Sequence, residues 1–249
     1  MILASLDYEG TGLDLNKDRI IEVGCCLYSP GRERLLECSS FLVNADGVPV
    51  TEEVTRITGI TQDAVDHFGY PQHEAVGSFN EYLSQADAVI GHNILRYDLP
   101  MIRNAAKRMS LPLNEKLAID TMTDIPGIKG QKLITMCADA KDPKTGRDVS
   151  FTYTKHGALD DAKAVLRLIS WHDIGEIKAR AESPTFVVQS HQPYGDANNT
   201  IARKAGFRWK GGFKIWWQAV KECDFANFRA QYPFEISITK DYPLELLRD

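Results

Sequence analysis

Short apolar runs alternate with stretches of helical period along most of this chain. Met1–Leu6 is apolar except for Ser5, the pattern of a buried strand. Arg19–Tyr28 and Leu35–Val43 predict two more strands, on either side of a Ser29-Pro30-Gly31 turn. The first three strands should therefore form an antiparallel meander. Ala88–Ile90 and Leu117–Asp120 predict strands four and five. Helices are predicted at Thr51–Ile57 with Thr51 as N-cap, from Thr61 onward, at His73–Ser84 with Val76, Phe79 and Leu83 on one side, and at Ile94–Met109. Lys132–Ala138 fits a further helix, and His156–Ala179 reads as one long helix burying Leu159, Ala162, Val165, Leu166 and Ile169. The polar Ala140–Val149 stretch fits an exposed loop or a hairpin, and serves either as a basic lid or as a solvated connection. Together these elements predict an α/β domain: a mixed five-stranded sheet flanked by helices.

Ser183-Pro184 marks a boundary, which divides the chain into domains 1–182 and 183–249. Asn199–Ala205 predicts a short helix. Phe207–Trp209 and Lys214–Trp217 predict a hairpin about Gly211-Gly212, so the second domain is a small α+β module. Arg203, Lys204, Arg208, Lys210 and Lys214 interleave with its aromatic residues. Such a surface can stack bases and hold phosphates. A very small domain also needs aromatics for its core, so both uses stay open.

Composition narrows the class. With 249 residues, 43% hydrophobic and 25% charged, the chain suits one medium domain plus an appendage. It holds no apolar run long enough for a transmembrane helix, and its N-terminus enters a strand directly instead of a leader. Its five cysteines form no C-x-x-C pair and read as reduced thiols of a cytoplasmic protein. The net charge of −5 is unevenly spread: residues 181–249 hold nine Lys/Arg and eight Asp/Glu, while the rest holds 20 and 26. A few phosphate contacts suffice for an enzyme that grips a strand end, so this balance does not exclude a nucleic-acid substrate.

Part of the acidic excess is concentrated in one motif. Asp7 and Glu9 lie two residues apart at the end of the first strand, which puts both on one face. Gly10-Thr11-Gly12 follows, where the backbone can bend and approach a ligand. Two carboxylates aimed into one space repel, and a divalent cation with a preference for oxygen removes the conflict. Taken alone, Asp-x-Glu also fits a strand end with two solvated acids. Two later motifs change the weighing: Gly91-His92-Asn93-Ile94-Leu95-Arg96-Tyr97-Asp98 after the fourth strand, and His156-Gly157-Ala158-Leu159-Asp160-Asp161.

This ordered set resembles the DEDD superfamily of 3′→5′ exonucleases. It is closest in pattern to the His-containing branch with the proofreading epsilon subunit of bacterial DNA polymerase and ribonuclease T. The resemblance spans roughly residues 1–175. It departs at Gly10, where many members carry Thr, at Thr58, which stands in the His place of a His-Gly-Ile-Thr turn, and in the long polar stretch before His156. The resemblance implies a ribonuclease-H-like fold and two Mg²⁺ or Mn²⁺ ions. Asp7 would bridge them, Glu9 and Asp161 would complete one site, and Asp98 would serve the other. His156 would take the proton of the attacking water. Thr11, Gly12 and Leu13 would hold the 3′-terminal nucleotide, and Asn93 would orient Asp98 or touch substrate. The implied substrate is single-stranded DNA or a 3′ overhang. RNA trimming and a non-catalytic nucleic-acid-binding subunit are the alternatives, and a polymerase or repair complex is a candidate partner.

Overall fold

The computed structural model describes residues 1–126 and 131–239, in two compact units, Met1–Ala181 and Glu182–Asp249. The first unit is a five-stranded sheet in the order β3-β2-β1-β4-β5, with β1 Leu3–Gly10, β2 Ile20–Ser29, β3 Arg34–Leu42, β4 Ala88–Gly91 and β5 Leu117–Asp120. β1, β2 and β3 pair antiparallel, whereas β4 and β5 join parallel to β1. Helices α1 Glu52–Thr58 and α2 Gln62–Phe68 follow β3, each capped by a threonine side chain, Thr51 and Thr61.

Alternation along β1 divides the core. Ala4, Leu6 and Tyr8 pack with Val76, Phe79 and Leu83 of α3 Gln72–Gln85 and with Met101, Ile102 and Ala105 of α4 Asp98–Met109. Leu3 faces the other way, toward Met136 and Cys137 of α6 Leu133–Ala138 (which follows the one-turn α5 Thr121–Asp124) and Val165, Leu166 and Ile169 of α7 Ala158–Ile169. Period two then places Ser5, Asp7 and Glu9 on the α7 face. The Ser5 hydroxyl donates to the Ala162 carbonyl at 2.9 Å, which ties strand to helix beneath the acids.

Two helices in this unit differ most from the sequence reading. The helix predicted from Ile94 starts at Asp98, because Asp120 at the end of β5 accepts the Asn93 and Leu95 N–H groups and holds that segment as a turn with Asn93 at φ 61°. The helix predicted over His156–Ala179 stops at Ile169 and resumes as α8 Ile174–Glu182. Asp173 starts the new helix by accepting the Glu176 N–H at 3.1 Å, an N-cap hidden inside a continuous apolar period. The Ala140–Val149 stretch is a short hairpin-like turn, with a Lys141–Asp148 bridge and Asp142 bonded to Arg147 and Gly146.

In the second unit, β6 Thr185–Ser190, β7 Arg208–Lys210, β8 Ile215–Lys221 and β9 Ile236–Thr239 form a sheet in the order β7-β8-β6-β9. Helices α9 Asp196–Lys204 and α10 Glu222–Gln231 contribute Ala202, Phe225 and Phe228 to a core around Val188, Phe207, Val220 and Tyr232.

Gly24 fixes where α7 lies. It sits opposite Asp7 in the β1–β2 register, and a Cβ there would collide with the backbone of Ala158 and Leu159. Gly24→Ala should therefore push the first turn of α7 off the sheet and destabilise the fold by about 1–3 kcal/mol. Gly77, exposed in α3 with open space about it, is the matched control: Gly77→Ala should stabilise by about 0.5–1 kcal/mol. Urea unfolding of both variants checks the pair, and equal effects would show that α7 does not depend on the missing side chain.

Candidate active site

The acidic residues meet where strands diverge. β1 pairs with β4 only from Leu3 to Ser5. Beyond that point the Tyr8 N–H has lost its strand partner, and the Asp98 carboxylate accepts it at 2.9 Å. Asp98 is the first residue of α4 and is 2% exposed, so the open edge of the sheet and the start of a helix position it together. The cleft thus lies at the carboxyl ends of β1 and β4, where open α/β sheets bind ligands.

The start of α7 supplies the remaining groups. His156 has φ 65°, and its N–H donates to the Asp161 carboxylate at 3.0 Å, closing the turn before the helix. The Tyr153 hydroxyl also donates to Asp161. Glu22 of β2 accepts the Ala158 N–H at 3.0 Å and the Ser40 hydroxyl at 3.2 Å, and it stands opposite Glu9 in the β1–β2 register. One ligand atom each from Glu9, His156 and Asp161 lie within 4.8 Å of one another.

Burial, joined for Asp7, Glu9 and Asp98 by the neighbouring acids, raises the carboxyl pKa values here. Burial pushes Asp7 well above the usual carboxylate range, and Asp98, Asp161, Glu9 and Glu22 push it further. Burial, with Asp161 and Glu22, lifts Glu9 to about 7. For Asp98, burial outweighs the N–H bonds from Tyr8 and its own backbone and lifts the carboxyl to about 8. Asp161 is raised by burial despite the Tyr153 and His156 bonds. Among the described residues, no lysine or arginine is one of the groups that shift these four carboxyls. An all-oxygen donor set with an imidazole at its edge, each acid raising its neighbours, fits divalent cations.

The Gly-Thr-Gly turn is arranged differently from the sequence reading. The Thr11 N–H is donated to the Arg19 carbonyl at 2.9 Å, and its hydroxyl is bonded to Asp18 and the Arg19 N–H, so its N–H is not available to a nucleotide. Leu13 is 85% exposed beside the cleft, and the Gly12 carbonyl accepts the Tyr97 hydroxyl at 3.0 Å. A side chain at Gly10 would strike that same hydroxyl, so Tyr97 occupies the space that a threonine there would need. Asn93 is half-buried, and its side chain makes no hydrogen bond to Asp98 among the described residues. Glu22, Tyr97 and Asp120 were not picked out by the sequence. A lone acid within the apolar β2 was the available signal for Glu22.

In the second unit, Phe207 and Trp217 are core, whereas Trp209 is 50% exposed and faces Trp216 across the hairpin with centroids 5.7 Å apart. The Arg203 guanidinium lies over the Trp216 ring at 5.5 Å. Lys204, Arg208 and Lys214 are exposed, and Lys210 is half-buried.

A mixed five-stranded sheet with acids converging at the ends of its central strands is a ribonuclease-H-like arrangement. The chain belongs to the RNase_T exonuclease family, whose model matches residues 5–169. Among solved structures it is similar to E. coli Exonuclease I in complex with a dA16 oligonucleotide (TM-score 0.54, 16% identity, covering 78% of this chain and 49% of that one). It is also similar to the zinc-bound form of the E. coli ExoI–ssDNA complex (TM-score 0.55, 14% identity, 88% of this chain and 51% of that one). The chain spans about half the length of these Exonuclease I structures. A search of curated proteins gives no significant match. Among the described residues no helix is long and apolar enough to cross a membrane.

Raised carboxyl pKa values set the pH dependence of stability. The folded protein holds protons on Glu9 and Asp98 up to about 7 and about 8, whereas the unfolded chain loses them near pH 4. Native protein therefore binds more protons than unfolded protein across that window, and stability falls as pH rises. Without cations, the melting temperature should drop between about pH 5 and about pH 8.5. Saturating magnesium should reverse the drop by binding the ionised form. A melting temperature flat with pH in chelator would show that the acids do not repel as described.

Proposed function

We propose that the protein is a divalent-cation-dependent 3′→5′ exonuclease that releases nucleoside 5′-monophosphates from single-stranded DNA or 3′ overhangs. The observation that carries this reading is the convergence of Asp7, Glu9, Asp98 and Asp161, from three separate segments, beside His156. Asp7, Glu9, Asp98 and Asp161 would hold two Mg²⁺ or Mn²⁺ ions, which supply charge neutralisation at the phosphate and an acidified water. His156 accepts the proton of that water, a task for the neutral imidazole. Its left-handed backbone, closed by the bond to Asp161, fixes where the ring stands. Tyr153 and the His156 N–H orient Asp161, while Tyr8 orients Asp98. Leu13, exposed beside the Gly12 turn, would stack on the terminal base and so favour strand ends.

Chelator should abolish hydrolysis of a labelled oligonucleotide, and magnesium or manganese should restore it. Asp7→Ala should lose activity yet fold, because it removes one of several repelling acids. His156→Ala should lower the rate on the order of 10²–10⁴-fold. Tyr153→Phe, which removes only a hydrogen bond to Asp161, should cost less. The reverse order of those two variants would transfer the proton-accepting role to Tyr153. Parallel DNA and RNA substrates, with and without a 3′-phosphate block, test direction and sugar preference.

The second unit serves this activity as a strand-holding surface. Half-exposed Trp209 offers a stacking face, and Arg203, Lys204, Arg208 and Lys214 offer phosphate contacts. Trp209→Ala should weaken binding of long single strands by about 1–3 kcal/mol. Arg208→Ala should reduce the slope of log affinity against log salt by about 1. Hydrolysis of very short oligonucleotides should be unchanged in both. Equal affinity and slope in the variants would reduce these residues to solvated neighbours of a core.

A further inference from the structure

Away from the acidic cleft, two thiols face each other across the outer strands of the sheet. Cys26 of β2 and Cys38 of β3 are direct partners in the antiparallel register, and their sulfurs lie 2.7 Å apart. Directly opposed residues in such a pair have Cα atoms about 4.5–5.5 Å apart, within the range a disulfide spans. Cys38 is exposed on the edge strand, and Cys26 is buried beneath it in the core toward α7. All five cysteines are free thiols in the structure, and Cys25, next in sequence, points into the opposite core with its sulfur near the Ser78 hydroxyl.

We propose that Cys26 and Cys38 form a reversible, peroxide-oxidised dithiol that fastens the edge strand β3 to β2. The exposed Cys38 sulfur attacks hydrogen peroxide: an S–O bond forms, the O–O bond breaks, and one water leaves, giving a sulfenic acid. The Cys26 sulfur then attacks that sulfur: the S–S bond forms, the S–O bond breaks, and a second water leaves. In sum two thiols and one peroxide give one disulfide and two waters, with the sulfurs oxidised and the peroxide oxygens reduced. Because the sulfurs are already in contact, closure needs no shift of register. The bond therefore clips the edge strand without moving Glu22, which pairs with Leu42 further along the same ladder and anchors α7. An edge strand is where a sheet is most prone to open or to add a foreign strand, so the clip protects the fold under oxidising conditions. It also spares Cys38 from irreversible oxidation, since the Cys26 sulfur already stands in contact to resolve the sulfenic acid.

The test treats the full chain with hydrogen peroxide, blocks remaining thiols with iodoacetamide, and maps peptides by mass spectrometry. The expected product is a Cys26–Cys38 crosslink that dithiothreitol removes. The oxidised protein should unfold in urea at a midpoint about 1 M higher than the reduced one, with nuclease activity unchanged. Exposed Cys223 serves as an internal control and should alkylate or over-oxidise. Cys38→Ser, an exposed substitution that leaves the core intact, should abolish both the crosslink and the shift. Recovery of alkylated Cys38 or its sulfinic acid with Cys26 still free would overturn the proposal. So would a crosslink without any rise in the urea midpoint, or one that halts hydrolysis.

Discussion

Gathering ionisable acids into one sheltered cleft costs stability unless something offsets the repulsion, and the first unit is built around that conflict. Asp98, Asp161 and Glu22 are held by backbone N–H groups, from Tyr8, His156 and Ala158. Each of these donors is a group that regular structure leaves over: a strand edge past its last partner, a residue of the turn before a helix, and the first turn of that helix. The chain therefore secures its carboxylates with donors that would otherwise need water. For Asp98 and Asp161 those bonds lower the carboxyl pKa, yet burial wins in both. That residual strain is what a cation relieves, so the same arrangement that weakens the cation-free fold strengthens cation binding.

Close approach of backbones makes the convergence possible. Gly24 lets α7 rest on β2 opposite Asp7, and a Cβ at Gly91 would come within 2.9 Å of the Leu6 carbonyl and 3.0 Å of the Ile94 side chain. Gly10 belongs to the same group. The missing side chain there leaves room for Tyr97. The hydroxyl of Tyr97 fills the vacated volume and bonds the Gly12 carbonyl, so the turn is braced from α4 instead of from its own side chain.

Local rules made much of this readable beforehand. Alternation put Asp7 and Glu9 on one face, Thr51 as N-cap marked α1, and the bounds of β5 follow its apolar run. What stayed hidden depends on partners distant in sequence. Glu22 matters because it meets Ala158, 136 residues away. Asp120 cancels a predicted helical turn at Ile94 because β5 lies beside β4. The break before α8 is different in kind: Asp173 caps the Glu176 N–H, but the apolar period runs on through both residues and hides the boundary. The roles assigned to the site residues came from the ordered motifs, not from spacing alone, since no single motif distinguishes a metal site from solvated acids.

The second unit shows how a small domain divides its aromatics. A sheet this short needs large side chains to fill both faces, and Phe207 and Trp217 are consumed in doing so. Trp209 has no such employment: at the outermost strand, half of its surface remains in water while its other face leans on Trp216. Exposing that area forgoes burial worth on the order of 1 kcal/mol or more. The Arg203 guanidinium lies over Trp216, the ring against which Trp209 leans, so the pair carries a cation on one of its members. Apolar area left uncovered beside a ring that carries a cation is the feature on which the proposed strand-holding role of this unit rests.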